Sequence, residues 1–365
     1  MQSSMVDTKA VKEAVKVTEM EPVGINVQEL FKLDEPLPYV PATMMINKNR
    51  SPLCEDIVDY DFNPVRRQLQ AALLGTNRDA KILCIGDKGT GKTTFIEQLL
   101  TRLNRPSVTV NCGEGVTEEY LLGRPTVKAG EVCSADGILS AGARWGINIV
   151  LDEVGSLLPE VQISMNDFYG KQKRIVLKHY GLDPTVHPEV AFMQEGSNVI
   201  PRHRSFRLWA TDNLGGKQGM AGANGYLGTN EINQATRSRL MYLHFNFMAP
   251  DQELAVLKSK QMLPNGHALA INEFVLKQMI HFANLFRGHQ VSGDTDDTIS
   301  MRELERWVGN CEVYRGNIDE AFVDAIYTAL NPRDQATALN CFEEAIGREL
   351  VLTEEHKWAQ KFMQA

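Results

Sequence analysis

Apolar and polar positions change period twice along this chain, near residue 60 and again near residue 250. Before the first change, Pro22, Pro36, Pro38, Pro41 and Pro52 break any long element. Only a short amphipathic helix over 27–33 is predicted there, and residues 1–60 read as an N-terminal extension. From residue 63 short apolar runs alternate with stretches of helical spacing, the signature of a parallel sheet covered on both faces. The pattern predicts a helix over 64–74 and strands over 81–85, 107–111, 148–151, 206–210 and 241–245. Helices fall between them, one carrying Phe95, Leu99, Leu100 and Leu103 on a single face and another near 139–145. Beyond Pro250 only helical spacing remains, over 252–262, 271–286, 301–314, 318–330 and 333–347, with a short acidic loop at 293–298. The expected organisation is the extension (1–60), an α/β core (61–248) and an all-helical domain (249–365).

The strand over 81–85 runs into Gly86, Asp87, Lys88, Gly89, Thr90, Gly91, Lys92 and Thr93, followed by Thr94 at the start of the next helix. This G-x-x-x-x-G-K-[ST] spacing lets backbone N–H groups curl around a β-phosphate while the lysine neutralises β and γ oxygens. The Thr93 hydroxyl suits Mg²⁺, and the helix N-terminus favours the anion. ATP and Mg²⁺ are therefore the expected ligands. One strand further on, Ile149-Val150-Leu151 ends in Asp152 and Glu153. After a phosphate-binding loop, such a pair fits Asp152 holding Mg²⁺, largely through water, and Glu153 accepting the proton of the attacking water. The consecutive acids point to hydrolysis, because a kinase that passes phosphate to a substrate does not need this glutamate.

Asn213 follows the strand over 206–210, at the edge where open α/β sheets bind ligands. It is placed to contact the attacking water or γ-phosphate, although a loop asparagine capping a strand gives the same string. Arg237 and Arg239 precede the last strand, and Arg302 opens a helix of the C-terminal part. An arginine fork suits charge developing on a phosphoryl group. As bare strings these arginines also read as surface ion pairs at helix ends.

The 365 residues carry a net charge of −8, with 43% hydrophobic and 23% charged positions, ordinary for a soluble globular protein. That balance argues against nucleic-acid binding by the whole surface. No apolar stretch approaches a bilayer span and residues 1–20 lack a signal-peptide core, so no membrane association and a cytoplasmic location are expected. The six cysteines form no C-x-x-C pair and read as reduced thiols without structural zinc.

Taken in order, 86–98, 150–153, 206–213, 235–239 and 298–302 resemble the corresponding strings of AAA+ ATPases of the MoxR group, and within it the ATPase subunits of aerobic cobaltochelatases. The likeness runs over roughly residues 27–350. It implies a P-loop NTPase core with a parallel sheet between helices, followed by a helical lid. It also implies that Lys92 and Thr93 are Walker A, Asp152 and Glu153 Walker B, Asn213 sensor 1, Arg239 the arginine finger and Arg302 sensor 2. The group often has an acidic residue just before the finger, where this chain has Ser238 beside Arg237, so the choice between the two arginines stays open. Hexameric rings and a partner carrying a von Willebrand A domain (CobT-like in the chelatases) are further implications. Two hairpins, at 127–132 and within 170–205, would by that resemblance face the pore or the partner, although solvated surface hairpins give the same strings. The segment 170–205 is longer than expected of a chelatase subunit.

Three functions compete on this evidence. A ring ATPase that remodels or activates a partner complex, as in cobalt chelation, is the leading reading. A nucleic-acid motor is motivated by Lys171, Lys173, Arg174, Arg202 and Arg204 but lacks aromatic–basic interleaving. A nucleotide-switched scaffold does not need the Asp152–Glu153 pair.

Overall fold

The computed structural model describes residues 21–128, 131–177, 185–191, 199–213, 232, 234–260 and 271–351. They fall into an α/β unit ending at Phe245 and a helical unit beginning at Asn246, with Asp87–Thr90 grouped in the latter.

The α/β unit opens with β1 (Pro22–Asn26) and β2 (Thr43–Asn47), an antiparallel pair that the sequence pattern did not predict. The helix expected over 27–33 is a single turn, Val27–Leu30, capped by the Asn26 side chain. Five parallel strands follow: β3 (Lys81–Ile85), β4 (Ser107–Asn111), β7 (Asn148–Asp152), β10 (Leu208–Asp212) and β11 (Leu240–His244). Between them lie two antiparallel hairpins, β5 (Gly123–Lys128) with β6 (Glu131–Asp136), and β8 (Arg174–Val176) with β9 (Val199–Pro201). Both expected hairpins are thus present. Residues 129–130, 178–184 and 192–198 lie outside the described residues.

The sheet order is β11-β3-β10-β7-β4, with every pair parallel. Alternation along each strand divides its side chains between two cores. Ile82, Cys84, Val150 and Trp209 face one cluster, together with Phe95 and Leu99 of the helix Lys92–Arg102. Leu83, Ile149, Leu151, Leu208 and Ala210 face the other, with Leu139 and Ala143. The strand expected over 206–210 sits two residues later, because Phe206 is already packed in the second core while pairing with β3 continues to Asp212.

The N-terminal residues share the first core. Phe31 and Phe62 meet edge to face with centroids 4.9 Å apart, and Phe62 continues to Phe95 at 5.9 Å. The chain over 55–60 is strapped along the helix Lys92–Arg102 by that helix's polar side chains. Gln98 accepts from Val58 N at 3.1 Å and donates to the Asp56 carbonyl at 2.9 Å. Arg102 donates to the Val58 carbonyl at 3.1 Å.

Beneath the sheet, at the start of β3, Asp79 collects three cations. Lys81 Nζ lies 3.0 Å from its carboxylate, Arg202 Nη2 2.9 Å and Arg207 Nη1 3.6 Å. Burial lowers the pKa of Lys81, Arg202 and Arg207, so the carboxylate compensates their desolvation. Arg202, which the sequence offered as part of a basic string, is thereby committed to the interior.

The helical unit contains helices Pro250–Lys260, Glu273–Ser292, Met301–Val313, Ile318–Ala325 and Pro332–Ile346. The four from Glu273 onward start on a polar cap, Asn272, Ser300, Asn317 or Asn331, whose side chain accepts a first-turn N–H. Each such cap is worth about 1 kcal/mol. The helix expected over 318–330 stops at Ala325, where Ile326 leaves helical geometry (φ −130°) and a 3₁₀ turn Tyr327–Ala329 follows. Residues 261–262 of the first expected helix lie outside the described residues. The core is aromatic: Phe322 contacts Phe282, Trp307 and Phe342 at centroid distances of 5.1, 4.9 and 4.7 Å. Among the described residues no helix is long and apolar enough to cross a membrane.

Candidate active site

The C-terminal ends of β3, β10 and β7 lie side by side, the edge of a parallel sheet where ligands bind. The loop after β3 needs its glycines. Gly86 has φ +153°, and a Cβ there would lie 2.1 Å from the Phe245 carbonyl oxygen. Gly91, at φ +83°, turns the chain into the helix beginning at Lys92. Between them Thr90 Oγ1 donates to the Asp87 carbonyl at 2.8 Å, closing the loop's own turn.

Lys92 is nearly buried, and its ammonium donates to the Gly86 carbonyl at 2.8 Å and to Asn213 Oδ1 at 2.9 Å. The Asn213 amide donates in turn to Glu153 Oε1 at 3.1 Å. Thr93 Oγ1 donates to Asp152 Oδ1 at 2.6 Å. Five residues drawn from three separate stretches of sequence are therefore brought together by these hydrogen bonds.

Glu153 has φ +56°, a left-handed backbone that costs a non-glycine residue roughly 1–2 kcal/mol. Strain of this kind persists only where the surroundings enforce it. Here its N–H donates to Thr211 Oγ1 at 3.0 Å, and the same hydroxyl donates to Asp152 Oδ1 at 2.5 Å. Thr211 thus holds both acids, a residue the sequence reading missed. The available signal was a hydroxyl one position before the strand-end Asp212 and two before Asn213.

The two carboxylates leave an electrostatic mark on a neighbour. Burial first, then the charges of Asp152 and Glu153, push the Cys112 thiol up to about 12. The remaining sequence candidates are placed by their own elements. Arg239 is exposed in the turn after the short helix Gln234–Arg237, and Arg237 is half-buried in that helix. Arg302 is exposed in the first turn of Met301–Val313, in the helical unit. Lys88 and Gly89 belong to the loop tip, while Thr94 lies in the first turn of the helix, after Thr93.

A P-loop on an inner strand, an acid pair closing a second strand and an asparagine just beyond the strand between them are the arrangement of a AAA+ ATPase. Residues 81–240 match the AAA domain of the dynein-related subfamily, from the P-loop strand to the start of β11. The matched segment is a AAA ATPase domain, and the chain as a whole is similar to AAA+ ATPases of the MoxR type. It is 27% identical to the aerobic cobaltochelatase subunit CobS of Sinorhizobium sp, over 92% of this chain and 94% of that one. It is 25% identical to protein NorQ of Paracoccus denitrificans, over 53% of this chain and 62% of NorQ. Midasin of Dictyostelium discoideum is 25% identical over 63% of this chain, which spans only 4% of midasin.

Proposed function

We propose that this ATPase works as a homo-oligomeric, hexameric ring, the assembly that the resemblance to its group implies, and in it remodels or activates a partner complex. The α/β core over 61–248 would hydrolyse ATP and the helical lid over 249–365 would follow its nucleotide state. The observation that carries this reading is the Asn213 amide bridging Lys92 and Glu153, which ties phosphate binding to the hydrolytic acid.

In this reading backbone N–H groups of Gly86–Thr93 and the first-turn Thr94 cradle the phosphates, and Lys92 exchanges its present partners for β and γ oxygens. Glu153 accepts the proton of the attacking water, while Asn213 orients that water. Thr93 and Asp152 offer a hydroxyl and a carboxylate 2.6 Å apart, a hard-oxygen donor set suited to Mg²⁺. When bound, the ion would neutralise charge on the phosphate oxygens. Arg239 acts in trans at a neighbouring subunit's nucleotide, with Arg237 the alternative, and Arg302 reads the γ-phosphate from the lid.

Similarity to a cobaltochelatase subunit over nearly the full length of both chains supports action within a larger complex, with a von Willebrand A domain protein as the partner. Cobalt chelation itself is the specific form of that activity we favour. The burial of Arg202 against Asp79 removes one cation from the basic string that had motivated a nucleic-acid motor.

The test is phosphate release by purified protein with and without Mg²⁺. Glu153→Gln should bind ATP normally yet turn over at least about 100-fold more slowly, and Lys92→Ala should not bind. Mixing Arg239→Ala with Lys92→Ala subunits should restore turnover. Wild-type rates in Glu153→Gln, or no Mg²⁺-dependent phosphate release, would overturn the proposal.

A further inference from the structure

The helical unit buries an ion pair that the ATPase reading does not use. Arg287, on the helix Glu273–Ser292, is 5% exposed, and Glu253, on Pro250–Lys260, is 1% exposed. Their charged atoms, Arg287 Nη2 and Glu253 Oε1, lie 2.8 Å apart. The guanidinium has three further neighbours. Nε donates to the Ile299 carbonyl at 2.6 Å, Nη1 donates to Asn284 Oδ1 at 3.2 Å, and the ring of Phe247 lies 4.2 Å from the guanidinium carbon.

Ile299 immediately precedes the cap of the helix that carries Arg302. Ser300 N donates to Glu303 Oε2 at 2.9 Å, the Ser300 hydroxyl bonds the same carboxylate, and Arg302 N donates to Ser300 Oγ at 3.2 Å. The capping box fixes this turn from within. Arg287 fixes it from outside, by the one carbonyl on its N-terminal side. Phe247, whose ring lies under the guanidinium, belongs to the connection between β11 and the first helix of this unit.

Stability alone does not explain the arrangement. Buried ion pairs are commonly replaceable by apolar residues without loss, and here the Arg287 Nη2–Glu253 contact is ionic without hydrogen-bond geometry, while Glu253 Oε2 also makes no hydrogen bond. Apolar side chains would join the same helices. What they would lack is the planar fork that holds a carbonyl, a carboxylate and an aromatic face at once. We propose that Arg287 is a positioning residue: it couples the connecting segment at Phe247 to the turn that presents Arg302, and so sets the aim of Arg302. This deepens the proposed role of Arg302 and rests on it.

A double-variant cycle on full-length protein tests the coupling, with kcat, KM for ATP and thermal midpoint read for each member. Arg287→Lys keeps a charge for Glu253 but loses the fork, and should lower kcat about tenfold with KM within about threefold. In an Arg302→Ala background the same change should add less than about twofold, since the residue through which it acts is gone. Phe247→Leu, which leaves the ion pair intact, should lower kcat less and likewise lose its effect in that background. It carries the test if Arg287→Lys does not melt cooperatively. Wild-type kcat in the variant read, or effects that multiply in the double variant, would overturn the positioning role alone. Unchanged turnover in Arg302→Ala would overturn the role of Arg302 and the positioning role together.

Discussion

At the residue scale the site is organised around hydroxyls as much as around charges. Thr93 and Thr211 both donate to Asp152 Oδ1, and Thr211 also receives the N–H of the strained Glu153. Thr211→Val preserves shape while removing the donor to a carboxylate, an interaction worth about 1.5–3 kcal/mol. It should lower kcat about tenfold or more with KM for ATP little changed, measured by steady-state phosphate release. Equal rates would mean that Thr211 only fills space. The charged members of the site were legible from their motifs, because a lysine after a glycine-rich loop and paired acids after an apolar run have few other uses. Thr211 was not, because a hydroxyl inside Leu208–Asp212 looks like any buried strand residue. Its role comes from the pairing of Ala210 with Leu151, which sets Thr211 level with Asp152.

At the element scale the parallel strands and most helices were readable from period alone, whereas the N-terminal hairpin was not. Its strands have five residues each and are separated by a proline-rich stretch, so no window long enough to show alternation exists. The strap over 55–60 was hidden for another reason. It is held by Gln98, Thr101 and Arg102, polar side chains that a helical pattern assigns to solvent. The edge below the sheet illustrates how elements are locked by charge. Asp79 joins the start of β3 to Arg202 after β9 and Arg207 before β10. Asp79→Ala would leave three cations facing one another. Because the carboxylate keeps about a third of its exposure, a loss of about 2 kcal/mol is expected rather than the full value for a buried pair. Urea denaturation should report it, with kcat within about twofold because the cluster lies at the opposite end of the strands from the phosphate loop.

At the scale of the whole molecule, burial of weak acids sets an alkaline limit. Cys84, Cys112, Cys311 and Cys341 lie in both units, and desolvation raises all four thiols, Cys112 and Cys311 to about 12 and Cys341 to about 11. The phenols of Tyr60 and Tyr169 are raised for the same reason. Each group stays protonated when folded after its unfolded counterpart has ionised, so the unfolded state binds fewer protons. Stability is therefore fully present below about pH 8.5, the unfolded thiol value, and declines as pH rises toward the folded values. Urea midpoints should fall steadily from about pH 8.5 to about pH 10.5, and a flat profile would contradict the burial of these thiols.

The bare backbone at Gly86 reaches beyond the loop that contains it. With no side chain between them, the Phe245 carbonyl presses on residue 86, and the Phe245 N–H is bonded to the Ile85 carbonyl at 2.8 Å. Phe245 is the final residue of its unit, so the chain leaves for the helices from a point clamped to the rim of the phosphate cradle. A side chain at position 86 would therefore disturb not only the loop but also the anchoring of the last residue of the α/β unit.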